Sequence, residues 1–316
     1  MQENKIYHSN FLDNKLKAKS AKTIIADPPY FEVKGGFDYI WASFAEYLKD
    51  VELWAVECKR ILADNGTLFW YGDRKKIAYS QIILDKYFNL EENVTIHIFD
   101  RQTNKIPAED ATSFINVTEH LLMYSNGNDG NKCNMIHKDN FKTVFAKIQE
   151  TCTKNDFTNC LLKLKIASNL NSAKVLASYK LGIHNTRFDF LTKEMYNEIG
   201  NFNYTYEALR QEYEALRRPF NIQEKYKTNV LRISQEGHKT GKYEHDTVKP
   251  ELLSRILIDA TTTDKNDLVV VPFSGSGTEC AMAKKENRNY IGFDIDKKYV
   301  DMANNRCRNI GASLFS

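Results

Sequence analysis

The run LVVVPFSGSGTECAMAKKENRNYIGFDI, residues 268–295, narrows the possible folds more than any other segment. Residues 268–271 are an unbroken apolar stretch, which suits a strand buried on both faces. A loop with glycines at 275 and 277 follows, then a helical stretch over 278–286, a second strand over 290–293, and an acid, Asp294. Strand, glycine loop, helix, strand and acid in that order describe a nucleotide-type βαβ unit. Gly275 and Gly277 let the loop approach a ligand closely, and the helix N-terminus behind them favours a negatively charged group such as a carboxylate. Asp294 stands 19 residues beyond Gly275, where a carboxylate can accept from both hydroxyls of a ribose. An adenosine-containing ligand fits this spacing, and a plain glycine turn is the structural alternative. A dinucleotide does not fit, because Thr278 follows the second glycine directly and the third glycine of that fingerprint is missing.

The first part of the chain carries the same rhythm. Residues 23–26, 67–71, 94–99 and 120–124 read as strands, and 44–62 and 75–87 as helices, with Asn65-Gly66 as a turn. Such alternation predicts a parallel-rich α/β sheet. The rhythm stops at SNGNDGN, residues 125–131, and resumes at the helix opening KPELLSRILIDAT, with Pro250 in its first turn. In between, residues 131–187 hold ten Lys or Arg against three Asp or Glu, an excess typical of polyanion binders and also of solvated surfaces. Tyr206, Leu209, Tyr213 and Leu216 form a two-heptad apolar stripe ended by Pro219. Two heptads are short for a coiled coil, so this helix is expected to pack within its own domain.

A second motif needs chemistry to explain it. In TIIADPPYF, Asp27 follows a strand and precedes two prolines that remove backbone donors, leaving main-chain carbonyls free to face a site. Asp27 and a neighbouring carbonyl are both acceptors. An exocyclic amino group on a nucleobase has two hydrogens to donate and a lone pair drawn into the ring. Two acceptors holding those hydrogens favour a tetrahedral nitrogen with its lone pair aimed outward, and Tyr30 offers a ring for the base to stack on. Taken alone, the motif also suits a strand ended by a rigid turn.

The chain of 316 residues is long enough for a large domain with a sizeable insertion, and its 42% hydrophobic and 27% charged residues are ordinary for a soluble protein. No apolar run approaches the roughly 20 residues of a membrane span, and the N-terminus lacks the zones of a secretory signal, so a cytoplasmic location is expected. Cys58, Cys133, Cys152, Cys160, Cys280 and Cys307 include no CxxC pair, which argues against a zinc site and a disulfide framework.

DPPY together with FSGSG resembles the S-adenosylmethionine-dependent amino-methyltransferases of DNA, and DPPY in place of SPPY is similar to their adenine-N6 members. DPPY comes first, a long variable region follows, and HDTVKP (residues 245–250) precedes FSGSG; this permuted order resembles the β class. ILADNGTLFWYGDR and TEHLLMYS are similar to lesser family segments. The resemblance implies a Rossmann-like methyltransferase sheet of circularly permuted motif order, with residues 1–125 as the catalytic part, 126–242 as an inserted target-recognition region and 243–316 as the cofactor-binding part. It further implies that Asp27, Pro28, Pro29 and Tyr30 form the catalytic loop. Phe273, Gly275 and Gly277 would line the S-adenosylmethionine pocket, Asp294 would hold the ribose, and Lys249 and Thr278 would lie near the methionine carboxylate. Asn10 falls where many members have an Asp near the adenine end, and Val271 stands where Asp is usual, which puts one contact to the methionine amino group in doubt. DNA with a flipped target base is the implied partner, and a homodimer is left open. N4-cytosine methylation uses the same chemistry, and a non-catalytic DNA-binding partner of the same fold is a third reading. A protein-glutamine methyltransferase is disfavoured, because in that family the glycine motif precedes the acceptor loop and Asn replaces Asp.

Overall fold

The computed structural model of the chain describes residues 1–33, 36–101, 112–126, 142–181, 190–200, 202–234 and 248–310. In chain order its first elements are β1 (Lys5–His8), β2 (Ala21–Ala26), α1 (Phe44–Ile61), β3 (Leu62–Gly72), α2 (Ile77–Leu84), β4 (Asn89–Ile98) and β5 (Thr118–Ser125). Five helices follow: α3 (Lys142–Gln149), α4 (Lys154–Lys163), α5 (Leu170–Lys180), α6 (Lys193–Ile199) and α7 (Tyr206–Leu216). The chain ends with β6 (Val230–Ile233), α8 (Glu251–Thr261), β7 (Leu268–Val271), α9 (Thr278–Lys285), β8 (Asn289–Asp294) and α10 (Lys297–Asn309). These elements form two compact units, Met1–Cys133 with Pro219–Ser316, and Asn134–Arg218.

The first unit is built on an eight-stranded sheet of order β1-β8-β7-β2-β3-β5-β4-β6. The strands from β1 to β3 are mutually parallel, whereas β5 runs antiparallel to both of its neighbours. The expected parallel character therefore holds on one side of the sheet and gives way on the other. Side chains alternate between two cores as the pleat requires. Ile25, Phe69, Tyr71, Val269 and Val271 join one face, covered by α8, α9 and α10. Ile24, Ala26, Leu68, Trp70 and Val270 join the other, where Val51, Trp54 and Cys58 of α1 pack. Each large side chain so buried contributes roughly 1.5–3 kcal/mol. α1 starts where the Ser43 side chain accepts from the Glu46 N–H at 3.3 Å, and its last turn carries Lys59 and Arg60, as the helix dipole favours.

Asn65-Gly66 does not form the expected turn between a helix and a strand; both residues lie inside β3. The pairing jumps from Ala21 with Leu62 to Thr23 with Thr67, so the turn-forming pair is accommodated as a bulge. The short strand β1 is not apparent in the sequence pattern, yet it pairs with β8 over Lys5–His8. β6 pairs in parallel with β4 from Thr95 with Val230 to Ile98 with Ile233. Residues 219–234 thus belong to the sheet-bearing unit, and the second unit is narrower than the expected 126–242 region.

The second unit is helical, where the sequence shows no clear alternation. Phe145, Ile148, Phe157, Leu161, Ala173 and Ala177 form its core with Leu209 and Tyr213 of α7, and Tyr206 and Leu216 pack against that core. The two-heptad stripe is therefore used within its own unit, as expected. Much of the basic charge here is paired: Lys147 with Glu212 at 2.5 Å, Lys163 with Glu198 at 2.5 Å and Lys193 with Glu207 at 2.7 Å. Residues 127–131 of the expected linker, residues 245–247 of HDTVKP, and Cys133 lie outside the described residues.

Candidate active site

Parallel strands deliver their carboxyl ends to one edge of the sheet, and β2 lies beside β7 although some 240 residues separate them in sequence. A crevice at such a switch point is where open α/β sheets bind ligands. Asp27 leaves β2 at this edge, Pro272 and the glycine loop leave β7, Asp294 ends β8, and Asn10 follows β1. β5 runs the other way, with His120 opposite Gly72 at the end of β3, so Glu119 reaches the same edge.

The Asp27 carboxylate is engaged on both oxygens. Oδ1 accepts from the Tyr30 hydroxyl, and Oδ2 lies 3.0 Å from Lys249 Nζ. The same ammonium is 3.6 Å from Glu119 Oε2 and 4.5 Å from the centre of the Tyr71 ring. Glu119 is held from behind by Arg101 Nη2, which donates to Oε1 at 3.1 Å. Burial pulls the Lys249 ammonium toward its neutral form, but the attraction of Asp27 and Glu119 outweighs this and raises its pKa. Lys249, followed by Arg101, holds the Glu119 carboxyl below its ordinary value. Burial and the Asp27 charge push the Tyr30 phenol well up, so it stays a donor.

The loop after Tyr30 is pinned. The Tyr30 N–H donates to Asp38 Oδ1 at 2.6 Å, the Glu32 N–H to the Asp38 carbonyl at 2.8 Å, and Lys76 Nζ to the Phe31 carbonyl. Pro28 is buried and Pro29 half-buried.

The glycine loop is built with equal care. Gly275 and Gly277 have φ of +46° and +75°. The Gly275 N–H donates to Asp294 Oδ2 at 2.9 Å, and the Asp296 N–H to Asp294 Oδ1 at 2.9 Å. A carboxylate has about four lone-pair sites, so Asp294 can hold both backbone donors and still accept from a ligand. Phe273 packs edge-on against Trp54, with ring centres 4.9 Å apart, and against Phe11 at 6.3 Å. The Thr278 hydroxyl accepts from Arg306 Nη1 at 2.7 Å, and Arg306 Nη2 meets Glu251 Oε1 at 2.9 Å. Asn10 caps the short 3-10 helix Phe11–Asp13 by accepting the Leu12 N–H at 3.0 Å. Asp and Asn serve equally as such caps, so Asn10 keeps the local backbone role open to either residue.

The geometry joins Asp27, Tyr30 and Lys249 into one cluster and Gly275 with Asp294 into another. It gives Lys249 to Asp27 and turns Thr278 inward to Arg306. Val271 is buried to 1% exposure in the core face that also holds Cys280 and Ala281. Sequence reasoning did not assign roles to Tyr71, Glu119, Glu279 or Arg306. Tyr71 and Glu119 fall within the two lesser family segments, which was a usable signal. Glu279 is an acid in an apolar helix start. Its carboxyl, 5% exposed, accepts from Ser254 Oγ at 3.2 Å, and burial raises its pKa. Tyr71 Oη and Glu119 Oε2 are buried without a hydrogen-bond partner among the described residues. A buried polar atom left in this way calls for an explanation.

The Asp27 loop and the glycine loop thus meet at one carboxyl edge of the α/β sheet. The family model described as DNA methylase, covering the N6 and N4 types, matches residues 21–305, and the chain belongs to this family. Type II methyltransferase M.HinfI of Haemophilus influenzae is 28% identical over 309 residues, spanning 92% of this chain and 64% of that protein. The chain thus spans less than two thirds of the length of this relative. In fold it is similar to the M1.HpyAVI–SAM complex, with a TM-score of 0.51, 17% identity, and coverage of 96% of this chain and 98% of that one. PvuII DNA methyltransferase, titled cytosine-N4-specific, gives a TM-score of 0.50 at 16% identity, covering 95% and 85%.

Proposed function

We propose that the chain transfers a methyl group from S-adenosylmethionine to the N6 amino group of adenine in DNA. The observation that carries this reading is the Asp27 carboxylate, which stands beside prolines that donate no N–H, at the carboxyl edge it shares with the glycine loop and Asp294. When bound, S-adenosylmethionine supplies an electrophilic methyl on a sulfonium. Asp294 and the glycine loop would hold its ribose, with Phe273 on the pocket wall. The Tyr71 hydroxyl, left without a partner among the described residues, fits a ligand bearing ammonium and carboxylate groups.

Asp27 and a carbonyl of the proline pair accept the two N–H bonds of the target amino group. Holding both turns the nitrogen tetrahedral and directs its lone pair away from the ring, toward the methyl donor. The carboxylate serves as a hydrogen-bond acceptor, and the proton lost from nitrogen passes to water. Tyr30 supplies a ring against the base, worth roughly 1–3 kcal/mol. A paired adenine must leave the duplex to reach this edge, which costs a few kcal/mol that the pocket contacts offset.

The helical unit Asn134–Arg218 would read the target sequence and grip phosphates. DNA as substrate implies a cytoplasmic location. Among the described residues no helix is long and apolar enough to cross a membrane. The second reading, N4-cytosine methylation, requires only a different base at the same acceptors. The deciding experiment expresses the chain in cells without DNA methylation of their own and analyses the digested nucleosides by mass. N6-methyldeoxyadenosine is expected. N4-methyldeoxycytidine would transfer the assignment to cytosine, and a bound cofactor with no modified base would make the chain a non-catalytic partner.

A further inference from the structure

The arrangement around Lys249 raises a problem for the proposed reaction, and its solution lies in a residue that no motif singles out. In this structure an entering amino group finds Asp27 occupied on both oxygens, by the Tyr30 hydroxyl and by Lys249. The Tyr30 hydroxyl is neutral, so its leaving Asp27 strands no charge. Lys249 is 8% exposed, and a buried ammonium deprived of its partner costs several kcal/mol. It can release Asp27 only if another anion receives it. Glu119 Oε2 is buried, 3.6 Å away, and accepts no hydrogen bond among the described residues. Arg101 fixes the other oxygen of Glu119 at 3.1 Å, so this acceptor stays in place when Lys249 moves. The remaining acid nearby is a poor substitute, because Glu279 already accepts from Ser254 Oγ at 3.2 Å.

We propose that Glu119 is a positioning residue: it receives the Lys249 ammonium when the target amino group takes Asp27. The shift needed is small, since the two carboxylates lie 3.0 Å and 3.6 Å from the same nitrogen. The Tyr71 ring face, 4.5 Å from that nitrogen, supports the charge in either position through its quadrupole. Glu119 touches neither substrate nor methyl group in this scheme. It governs how freely Asp27 can exchange an internal partner for a substrate one. The consequence for catalysis rests on the reading of Asp27 given above, whereas the sharing of Lys249 stands on geometry alone, and the two are tested separately.

Sharing is tested by a stability cycle that needs neither DNA nor cofactor. Asp27→Asn and Glu119→Gln should each lower the melting temperature slightly, because the other carboxylate keeps Lys249. The double variant should lose more than the sum of the two, because it strands the ammonium. Additive losses would overturn the proposal, whatever the enzyme does.

The catalytic consequence is tested by single-turnover methylation. Glu119→Gln should slow it by about tenfold or more while DNA affinity and calorimetric cofactor affinity stay within about twofold of wild type. Glu119→Asp should recover part of the rate. Added to Lys249→Met, the Glu119→Gln change should cost little more, since its effect runs through Lys249. An unchanged rate in Glu119→Gln, or full additivity with Lys249→Met, would overturn the positioning role. A wild-type chain that methylates no DNA would instead defeat the reading of Asp27, and the melting cycle would still decide whether Lys249 is shared.

Discussion

Gly277 stands directly against Ala303 of α10: a Cβ on the glycine would lie 2.5 Å from the Ala303 Cβ and 2.9 Å from its Cα. The glycine also holds φ of +75°, where other residues are strained. It is required by helix packing and backbone conformation, whereas the sequence alone suggested that a side chain would intrude on the cofactor. Gly277→Ala should therefore cost roughly 2–4 kcal/mol in urea unfolding. Adding Ala303→Gly should return part of the loss by relieving the contact but not the strain. If Gly277→Ala is as stable as wild type and only cofactor affinity falls, the packing account fails.

Asp27→Ala should lower methyl transfer by about a hundredfold or more, the scale seen when a group aimed at the reacting centre is removed. Its melting temperature should stay near wild type, because Glu119 remains for Lys249. Asp27→Asn should be impaired nearly as much, since its amide offers one acceptor and a wrongly placed donor. Radiolabelled methyl incorporation checks both, and near-normal turnover in Asp27→Ala would remove the residue from the mechanism.

Burial holds the Glu279 carboxyl above its ordinary 4.5. The folded state therefore binds this proton more tightly than the unfolded chain does. The stability so contributed is complete below the ordinary value and is lost as pH rises through the raised one. Glu279→Gln does not titrate, so its stability relative to wild type should improve as pH rises above the ordinary carboxyl value in paired urea titrations. A constant difference over that rise would show that Glu279 is not perturbed.

Arg306, with a side chain 4% exposed, ties Glu251 of α8 to Thr278 at the start of α9. Arg306→Met leaves the Glu251 carboxylate, one third exposed, to find water, and should cost about 3 kcal/mol, the lower end for breaking a buried pair. Arg306→Lys should recover less than half, because one ammonium cannot serve both partners with the geometry of the fork. Chemical denaturation of the two variants checks the order.

In the helical unit, Lys163 is already paired with Glu198, while Lys165 and Lys174 are exposed. Replacing Lys165 and Lys174 by alanine should weaken binding to all DNA and make the log–log salt slope shallower by about 2, one for each phosphate no longer neutralised. Replacing Lys163 alone should change the slope less. A slope unaltered by the double change would return these lysines to ordinary solvated surface.

The sequence made the site more legible than the sheet. Local chemistry explains this: Asp27, Gly275, Gly277 and Asp294 sit in short runs whose order and spacing survive in the primary structure. The antiparallel placement of β5 depends on which strands find each other over long separations, and no periodicity reports that. β1 was hidden because only Ile6 of its four residues is buried. Asn65-Gly66 misled because a bulge and a turn ask for the same residues. Lys249 was expected near a methionine carboxylate from the resemblance, and neither its pairing with Asp27 nor that with Glu119 was legible, since an acid has no spacing relation to a distant lysine. The other four helices of the second unit, α3 to α6, escaped notice because each is short, with caps such as Thr153 and Asp156 of α4 standing among many other polar residues.

The placement of β2 between β3 and β7 sets the order in which a growing chain can acquire its parts. β3 leaves the ribosome soon after β2 and can cover one side of it. The other side must wait for residues 268–271, after both the helical unit and α8 have been made. Until then the strand that ends in Asp27 has an open edge, and the nascent chain has an acceptor loop but no glycine loop to face it. Pairings closed over so long a separation are slow to form, and a strand edge left open meanwhile invites pairing with other chains. A ribosome stalled between α5 and β7 would thus hold the Asp27 loop without the glycine loop it faces, beside an exposed strand edge.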